Sequence, residues 1–379
     1  MDGVRDATPD ELAEWDTAAV DAPGGHVYQS VAWANHRAQA GWQPRFLVTP
    51  DDGRVLALER PWPLVSGSSV YIPRGPVAAG AGDAAGANDS DVAAILGRRL
   101  VAVSEALAAD GVDVVAADTE IPAADAAYRD TIRAAGFTPI EEIQPSRHRM
   151  SLALHPGVGD APVFEAIAKS TRQRVRAAER NGVVVIRHDR RMASGGPGDG
   201  FVAPAEPSEV ALDRFYDLLL ETGERRQFGF GPRERFVPWW IAALRAGHLV
   251  YLEAHAAAAG GTVLAGLVLY RHGGRLSTVH SGDHDATRST HPGALHLLRW
   301  RAIQLAIREG CPEMDLGGVD VAGARREPLQ GEPMYGLYQH KRSFGGRWVE
   351  LTGAHERVLD GRGYALGRTA MRLRRVVRR

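Results

Sequence analysis

Lysine is rare enough in this chain to be informative where it survives. Two lysines, Lys169 and Lys341, stand against 43 arginines among 379 residues. A cation that can be written either way has drifted to arginine, so a retained lysine marks a place where a planar fork fails and a compact point charge is wanted. Lys341 lies in the run Gly336-Leu337-Tyr338-Gln339-His340-Lys341-Arg342-Ser343-Phe344-Gly345-Gly346. A single ammonium suits one developing negative charge better than a guanidinium does. Chance survival on an exposed face is the competing explanation.

Other chemistries find less support. There is no G-x-S-x-G elbow, and His188-Asp189 and His284-Asp285 fall in polar stretches. Among the 14 histidines the one H-x-x-x-H spacing, His280 to His284, falls on a predicted strand and the turn after it and not on one face of a helix, so no metal site is expected. Cys311, the one cysteine, can form neither an internal disulfide nor a cysteine cluster. Arg37 and Arg74 sit at ends of predicted elements within an acidic stretch. They read as a clamp for phosphates, or as partners of neighbouring carboxylates.

At 379 residues the chain exceeds one ordinary core, and two domains are expected. Apolar residues at 44% and charged ones at 24% are those of a globular protein. No run of about 18 apolar residues could span a membrane. The acidic start, without an apolar h-region, does not read as a secretory signal, and a cytoplasmic location is expected. Charge is uneven. Residues 1–150 hold 22 acids against 12 bases, whereas 151–379 carry +9 within a total of −1. The second part is the one to meet a polyanion.

These residues must be positioned by elements that the pattern predicts. Residues 9–21 read as a short helix, and Ser30 caps a second that Gly41 ends, with Trp33 in the core and Arg37 solvated. Phe46-Leu47-Val48 and Val55 to Leu58 flank a hairpin turn at Pro50-Asp51-Asp52-Gly53. A strand ends at Pro73; residues 78–90 are loop; 92–109 are helical; a strand over 112–117 leads to Asp118. After a helix over 123–135, a second unit opens near Arg149 with a strand. Residues 169–182 form a basic helix whose face is solvated or meets nucleic acid. A Gly/Pro loop over 193–206 precedes helices over 210–222 and 236–246. Strands over 249–254, 262–270 and 276–282 and a long helix from Pro292 to Glu309 follow. Glu313 to Trp348 reads as a strand, a flexible cover and a second strand carrying Lys341. Both halves run helix, hairpin, strand, helix, strand.

Five segments in order carry a resemblance. Gln29 to Trp33 (Q-x-x-x-W), YIPRGPV at 71–77, KSTRQRVRAAERNGVVV at 169–185, LRWRAIQLAIREGCPEMDLGGV at 298–319 and GLYQHKRSFGG at 336–346 look like the Fem aminoacyltransferases, over roughly residues 26–355. The resemblance implies an α+β (mixed α/β) fold of two GNAT-like acyltransferase domains, each a mixed β-sheet flanked by helices, with a cleft between them. Residues 1–149 plus 347–379 would form the first, on the acceptor side, and 150–346 the second, on the donor side. It implies transfer of an amino acid from aminoacyl-tRNA to an amine of a UDP-linked or lipid-linked muropeptide, building the interpeptide bridge of peptidoglycan. Aminoacyl-tRNA is then a co-substrate, and no cofactor is expected. The stretch 182–208 is too short for the helical arm of some members, so the chain is similar to the armless, FemX-like type.

By the same resemblance Lys341 assists acyl transfer, and Asp118 joins it as the second catalytic position. Arg37 and Asp118 match positions that contact the precursor, and Arg74, Trp33, Lys169, Tyr338 and His340, which lie in the matching segments, are expected to bind substrate with Arg37. The chain departs from the pattern in places. His340 stands where an aromatic residue is expected, the diphosphate-binding arginine aligns with Gly231, leaving Arg233 or Arg235 as substitutes, and an expected tyrosine falls near Gly293.

Three rivals remain. A tRNA-dependent aminoacyltransferase of secondary metabolism would use the same donor. An acyl-CoA N-acyltransferase is indicated by Arg226-x-x-Gly229-x-Gly231, which matches the pyrophosphate loop of GNAT enzymes but follows a predicted helix where that motif needs a strand. A non-enzymatic module could bind nucleic acid or membrane through the tail. In that tail, Arg368, Arg372, Arg375 and Arg379 recur at helical spacing opposite Leu366, Ala370, Leu373 and Val377. Such a helix can lie on the inner face of an anionic membrane, grip a tRNA backbone, or simply dock on its own domain. A monomer is expected.

Overall fold

The computed structural model describes residues 3–78, 89–144, 146–155, 157–191, 200–202, 204, 206–226, 229–256, 261–319 and 326–377. The loops expected over 78–90 and 193–206, the cover after Val319, part of the Arg226–Gly231 loop and Arg379 thus lie wholly or largely outside the described residues. The chain divides into two compact units. One is Met1–His148 with Val349–Arg379, and the other is Arg149–Trp348.

The first unit is built on a seven-stranded sheet in the order Arg5–Asp6, Gln43–Val48, Arg54–Pro61, Ser68–Ile72, Val112–Ala117, His355–Val358, Thr138–Pro139. The meander Gln43–Val48, Arg54–Pro61, Ser68–Ile72 is antiparallel, and Thr49 with Asp52 forms the hairpin turn. Helix Asp89–Ala109 then crosses over, so Val112–Ala117 returns parallel to Ser68–Ile72. A strand from the far end of the chain, His355–Val358, pairs antiparallel with Val112–Ala117. The core lies between sheet and crossover helix, with Val55, Val70, Ile72, Leu96, Leu100, Val103 and Val115 buried.

The second unit repeats this logic. Its sheet runs Arg347–Glu350, His148–Ala153, Glu313–Asp315, Arg275–Asp283, Val263–His272, Leu249–His255, Val184–Asp189. A three-strand meander is again followed by a crossover helix, Ala294–Arg308, and by a strand parallel to the third of the meander. The two sheets are therefore mixed, as the expected fold class requires. A bulge between Val268 and Leu269 shifts the register opposite Val279.

One expected element is corrected. Residues Tyr335–Ser343 form a helix, not a strand. Aromatic and apolar side chains there suggested β structure, but the two that are buried, Tyr338 and Lys341, are three apart, and Phe344 follows at the same spacing. Its last turn holds His340, Lys341 and Arg342, where cations complement the partial negative charge of a helix C-terminus. The first predicted helix is also shorter: Pro9–Ala13, closed by a Thr8–Glu11 capping box, with Thr17–Asp21 wound more loosely.

Candidate functional site

In the second unit the parallel strands part early. Arg275–Asp283 and Glu313–Asp315 pair only at Leu276 with Met314 and Ser277 with Asp315, after which one continues and the other ends at Leu316-Gly317-Gly318. Backbone donors and acceptors that would have laddered are instead turned to local partners. The Gly317 N–H donates to Asp315 Oδ1 at 2.8 Å, with Gly317 at φ 80. A β-carbon at Gly317 would stand 2.7 Å from the Thr278 carbonyl oxygen, so only glycine lets the turn approach so closely.

Lys341 reaches this turn. Its Nζ donates to the Gly318 carbonyl at 2.7 Å, and the side chain is 5% exposed. A second buried cation stands behind it: Arg299, on the apolar face of Ala294–Arg308, is 1% exposed. Arg299 donates through Nη1 to Thr278 Oγ1 at 3.4 Å and through Nε to His340 Nε2 at 3.2 Å. Burial lowers the pKa of Arg299 to about 10, with Asp315 pulling the other way. The ring of His296 packs edge-on to His340 at 4.7 Å. Burial, reinforced by Arg299, holds His340 well below the usual imidazole range, and burial with Arg174 and Arg299 takes His296 to about 4. Two cations and two neutral imidazoles therefore meet where the sheet opens. That arrangement stabilises negative charge arising on a bound group and keeps both imidazoles neutral at neutral pH.

The helix bearing Lys341 is fixed from the basic helix. The Ala168 N–H donates to the Ser343 carbonyl at 2.9 Å, and Thr171 Oγ1 donates to Ser343 Oγ at 2.8 Å. Lys169 begins Lys169–Arg180 and is exposed beside these contacts. Tyr338 is a core side chain, 3% exposed, with its hydroxyl on Glu327, so it supports the helix instead of presenting a free face. Arg233 is taken up by Asp213 and Asp217 and stacks over Tyr216, which makes it a strut between helices Glu209–Arg226 and Arg233–Arg245. Arg235 is exposed in the first turn of the latter.

The first unit gathers the remaining candidates. Asp118 follows the strand Val112–Ala117 and is 1% exposed. It accepts from Tyr71 Oη at 2.9 Å and from the Arg74 N–H at 2.7 Å, and the Arg74 guanidinium lies 3.7 Å away. Arg74 has φ 52, a left-handed conformation held by those two contacts with one carboxylate. Burial raises the Asp118 carboxyl to about 6, against the pull of Arg74. Trp33 stacks on Tyr28 at 4.4 Å, and the Arg37 guanidinium lies 5.4 Å from both the Trp33 and Trp42 rings. The expectation of a simply solvated Arg37 is thus replaced by a half-buried cation between two indoles. Ser30 does cap this helix, accepting from the Trp33 N–H at 3.0 Å.

Sequence reasoning passed over Arg299, His296, Thr278 and Tyr71. Arg299 had a signal: a charged residue between Leu298 and Trp300 on a helix whose same face carries Ala302 and Ile303. Gln29, valued only as a motif letter, is fully buried and bonds Leu56 N–H at 2.7 Å and the Pro73 carbonyl at 2.7 Å, locking the approach to Arg74. Among the described residues no cluster of three or more His, Cys, Asp or Glu could hold a metal ion.

Comparisons with known proteins bear on these two units. Residues 167–342 match the profile of the acetyltransferase (GNAT) domain family. No curated protein matches the sequence. Among solved structures, the crystal structure of FemX is similar with a TM-score of 0.74 at 17% identity, covering 97% of this chain and 99% of that one. A conserved protein of unknown function from Bacteroides thetaiotaomicron gives 0.51 at 14% identity, covering 94% and 99%. The L-PGS structure from Bacillus licheniformis gives 0.49 at 12% identity, covering 100% and 99%. The two-sheet architecture of this chain is therefore of the FemX type, and within it residues 167–342 match the acetyltransferase (GNAT) domain profile.

Proposed function

We propose that this protein is a tRNA-dependent aminoacyltransferase that moves an amino acid from aminoacyl-tRNA to an amine of a peptidoglycan precursor, either UDP-linked or lipid-linked. The observation that carries the reading is Lys341, buried at the parting of two parallel strands with its ammonium on the Gly318 carbonyl and Arg299 behind it. The FemX fold and the Fem-like segments of the sequence support the choice of donor and acceptor.

The reaction needs a neutral amine, an aligned ester carbonyl and a counter-charge for the oxyanion. The amine nitrogen bonds to the carbonyl carbon, the ester C–O bond to the tRNA ribose breaks, and a proton passes from the nitrogen to the ribose oxygen. The ester is already activated, so no covalent enzyme intermediate is required. Lys341 supplies the charge facing the oxyanion or the leaving oxygen. Arg299 and the neutral His340 hold the surrounding field, and Lys169 marks the exposed rim. In the first unit, Arg37 between its indoles offers the acceptor a cation, with Arg74 and Asp118 shaping the backbone beside it. The transfer takes place on the cytoplasmic side, where both substrates are made.

The family profile over residues 167–342 favours a second reading, an acyl-CoA N-acyltransferase. Its motif is weakened because helix Glu209–Arg226 runs directly into that loop, with no strand before it. One experiment separates the two. Radiolabelled aminoacyl-tRNA with a muropeptide acceptor should give labelled product that ribonuclease pretreatment abolishes. Ribonuclease-resistant transfer from acyl-CoA, with none from aminoacyl-tRNA, would overturn the proposal.

A further inference from the structure

The second of the two lysines takes no part in the transfer chemistry. Lys169 opens the helix Lys169–Arg180, whose buried side is Thr171, Val175 and Ala178. On the opposite side, at intervals of four, three and four residues, stand Lys169, Gln173, Arg176 and Arg180, all exposed. At the rise of an α-helix this row is about 16 Å long. The one acid of the helix, Glu179, lies off the row and is paired with Arg301 at 3.0 Å. Among the described residues the side chains of Lys169, Gln173 and Arg180 have no hydrogen-bond or ion-pair partner, and the Arg176 guanidinium rests over the Phe164 ring at 5.4 Å.

The row works against the stability of its own helix. Lys169 stands in the first turn, where the helix dipole disfavours a cation and no acid offsets it. Arg172 and Arg176, and again Arg176 and Arg180, are four residues apart and repel. A polyanion laid along the row would relieve each of these repulsions at once.

The same helix leads to the transfer site. The Ala168 N–H is bonded to the carbonyl of Ser343, two residues past Lys341. On the flank turned toward the site, Arg174 is exposed and close enough to His296 and His340 to act on both imidazoles. Its backbone lies against the start of Ala294–Arg308, since a β-carbon at Gly293 would overlap the Arg174 carbonyl oxygen.

Three kinds of partner carry enough negative charge to meet this row. An anionic bilayer is gripped firmly where apolar side chains also insert, and no large apolar side chain of this helix is exposed. An acidic protein surface binds through aromatic or aliphatic anchors, for which the row has no apolar counterpart. A nucleic-acid backbone asks only for cations in line and hydrogen-bonding side chains between them, which Gln173 supplies. We propose that the face formed by Lys169, Gln173, Arg176 and Arg180 grips the sugar-phosphate backbone of the RNA whose acylated end is held at Lys341, with Arg174 guiding that end inward. Which RNA is bound rests on the aminoacyl-tRNA reading; where it is bound rests on this helix.

Filter binding of deacylated tRNA to the whole protein, followed from about 50 to 200 mM salt, tests it. Lys169→Gln/Arg176→Gln/Arg180→Gln should bind at least about tenfold more weakly at the lower salt, with the slope of log affinity against log salt shallower by about 2 to 3. Arg362→Gln/Arg368→Gln/Arg372→Gln removes the same charge from the exposed side of Gly361–Val377 in the first unit and should leave the slope near wild type. The substituted side chains are exposed, so melting temperatures should hold. Should loss of Arg176 from Phe164 unsettle the helix, Lys169→Gln/Arg180→Gln should still make the slope shallower by about 1 to 2. Equal slopes in the wild type and the helix variant would overturn the proposal. So would equal losses in the two triple variants, or a wild type that binds phosphatidylglycerol vesicles and not tRNA. Failure here is separable from failure of the transfer reading. An unaltered slope with ribonuclease-sensitive transfer removes this surface alone, whereas ribonuclease-resistant transfer from acyl-CoA removes the reading and with it the acylated end.

Discussion

Arg299 Nε donates to His340 Nε2 at 3.2 Å, so the imidazole that precedes Lys341 in sequence accepts a bond from a second buried cation. That contact leaves the His340 proton on Nδ1 and makes the ring a neutral spacer between two positive groups. The site is thus arranged to keep its charge on Lys341 and Arg299, not on histidine.

Replacing Lys341 by alanine should reduce transfer by about 100- to 1000-fold, the usual effect of losing one oxyanion donor. Single-turnover transfer from aminoacyl-tRNA measures it, with acceptor binding followed separately. Lys341→Arg should also be impaired, because Nζ is buried against Gly318 and would be 3.2 Å from a β-carbon at Gly317, which leaves little room for a fork. Single-turnover rates near wild type in the alanine variant would remove Lys341 from the chemistry.

Gly317→Ala should act on the same step from the backbone side. The added carbon meets the Thr278 carbonyl at 2.7 Å at a position with φ 80, so the turn must shift and carry the Gly318 carbonyl away from Lys341. A fall in kcat with acceptor KM unchanged is expected. A change confined to KM would place the turn in binding instead.

Arg299→Gln should raise the pKa of His340 part of the way toward 6.5, because one of the charges holding it down is gone while burial remains. Imidazole chemical shifts followed against pH read this directly. An unmoved His340 titration would separate the two residues.

Arg37 and Arg74 should not behave alike. Arg74→Ala leaves the buried Asp118 carboxylate without its cation and should destabilise the first unit by about 3 kcal/mol or more. Arg37→Ala removes a half-buried cation between indoles and should leave melting nearly unchanged while raising the acceptor's KM. Calorimetry with acceptor kinetics distinguishes the two, and an unchanged KM in Arg37→Ala would reject the clamp.

Asp118 gives the fold a pH dependence of definite sign. Its folded pKa of about 6 lies above the ordinary 3.8, so the native state holds the extra proton. The unfavourable contribution of its ionised form is fully present above about pH 6. It is relieved as pH falls and is gone below the ordinary value. Carboxyl carbon shifts should show a midpoint near 6, and this part of the stability slope should vanish in Asp118→Asn. A midpoint near 4 would contradict the burial argument.

Periodicity and punctuation in the sequence specified much of the fold because those signals are local. Pro50-Asp51-Asp52-Gly53 set the hairpin, Ser30 set a cap, Gly310 ended the long helix, and the repeated meander, helix and strand declared two similar units. The scarcity of lysine singled out Lys341 before any neighbour was known. What surrounds Lys341 was decided by tertiary structure. Arg299 comes from another helix and Gly318 from the turn after a strand that must part from its neighbour, and neither is near Lys341 in sequence. The strand expected at Tyr338 became a helix because burial of Tyr338, Lys341 and Phe344 on one face outweighed the local β preference of its aromatics. The expected apolar stripe of the C-terminal helix was redirected for a similar reason. Glycines pack closer than leucines, so Gly363 and Gly367 took the inner face under Trp62 and Asp113, and Leu366 and Leu373 were left outside.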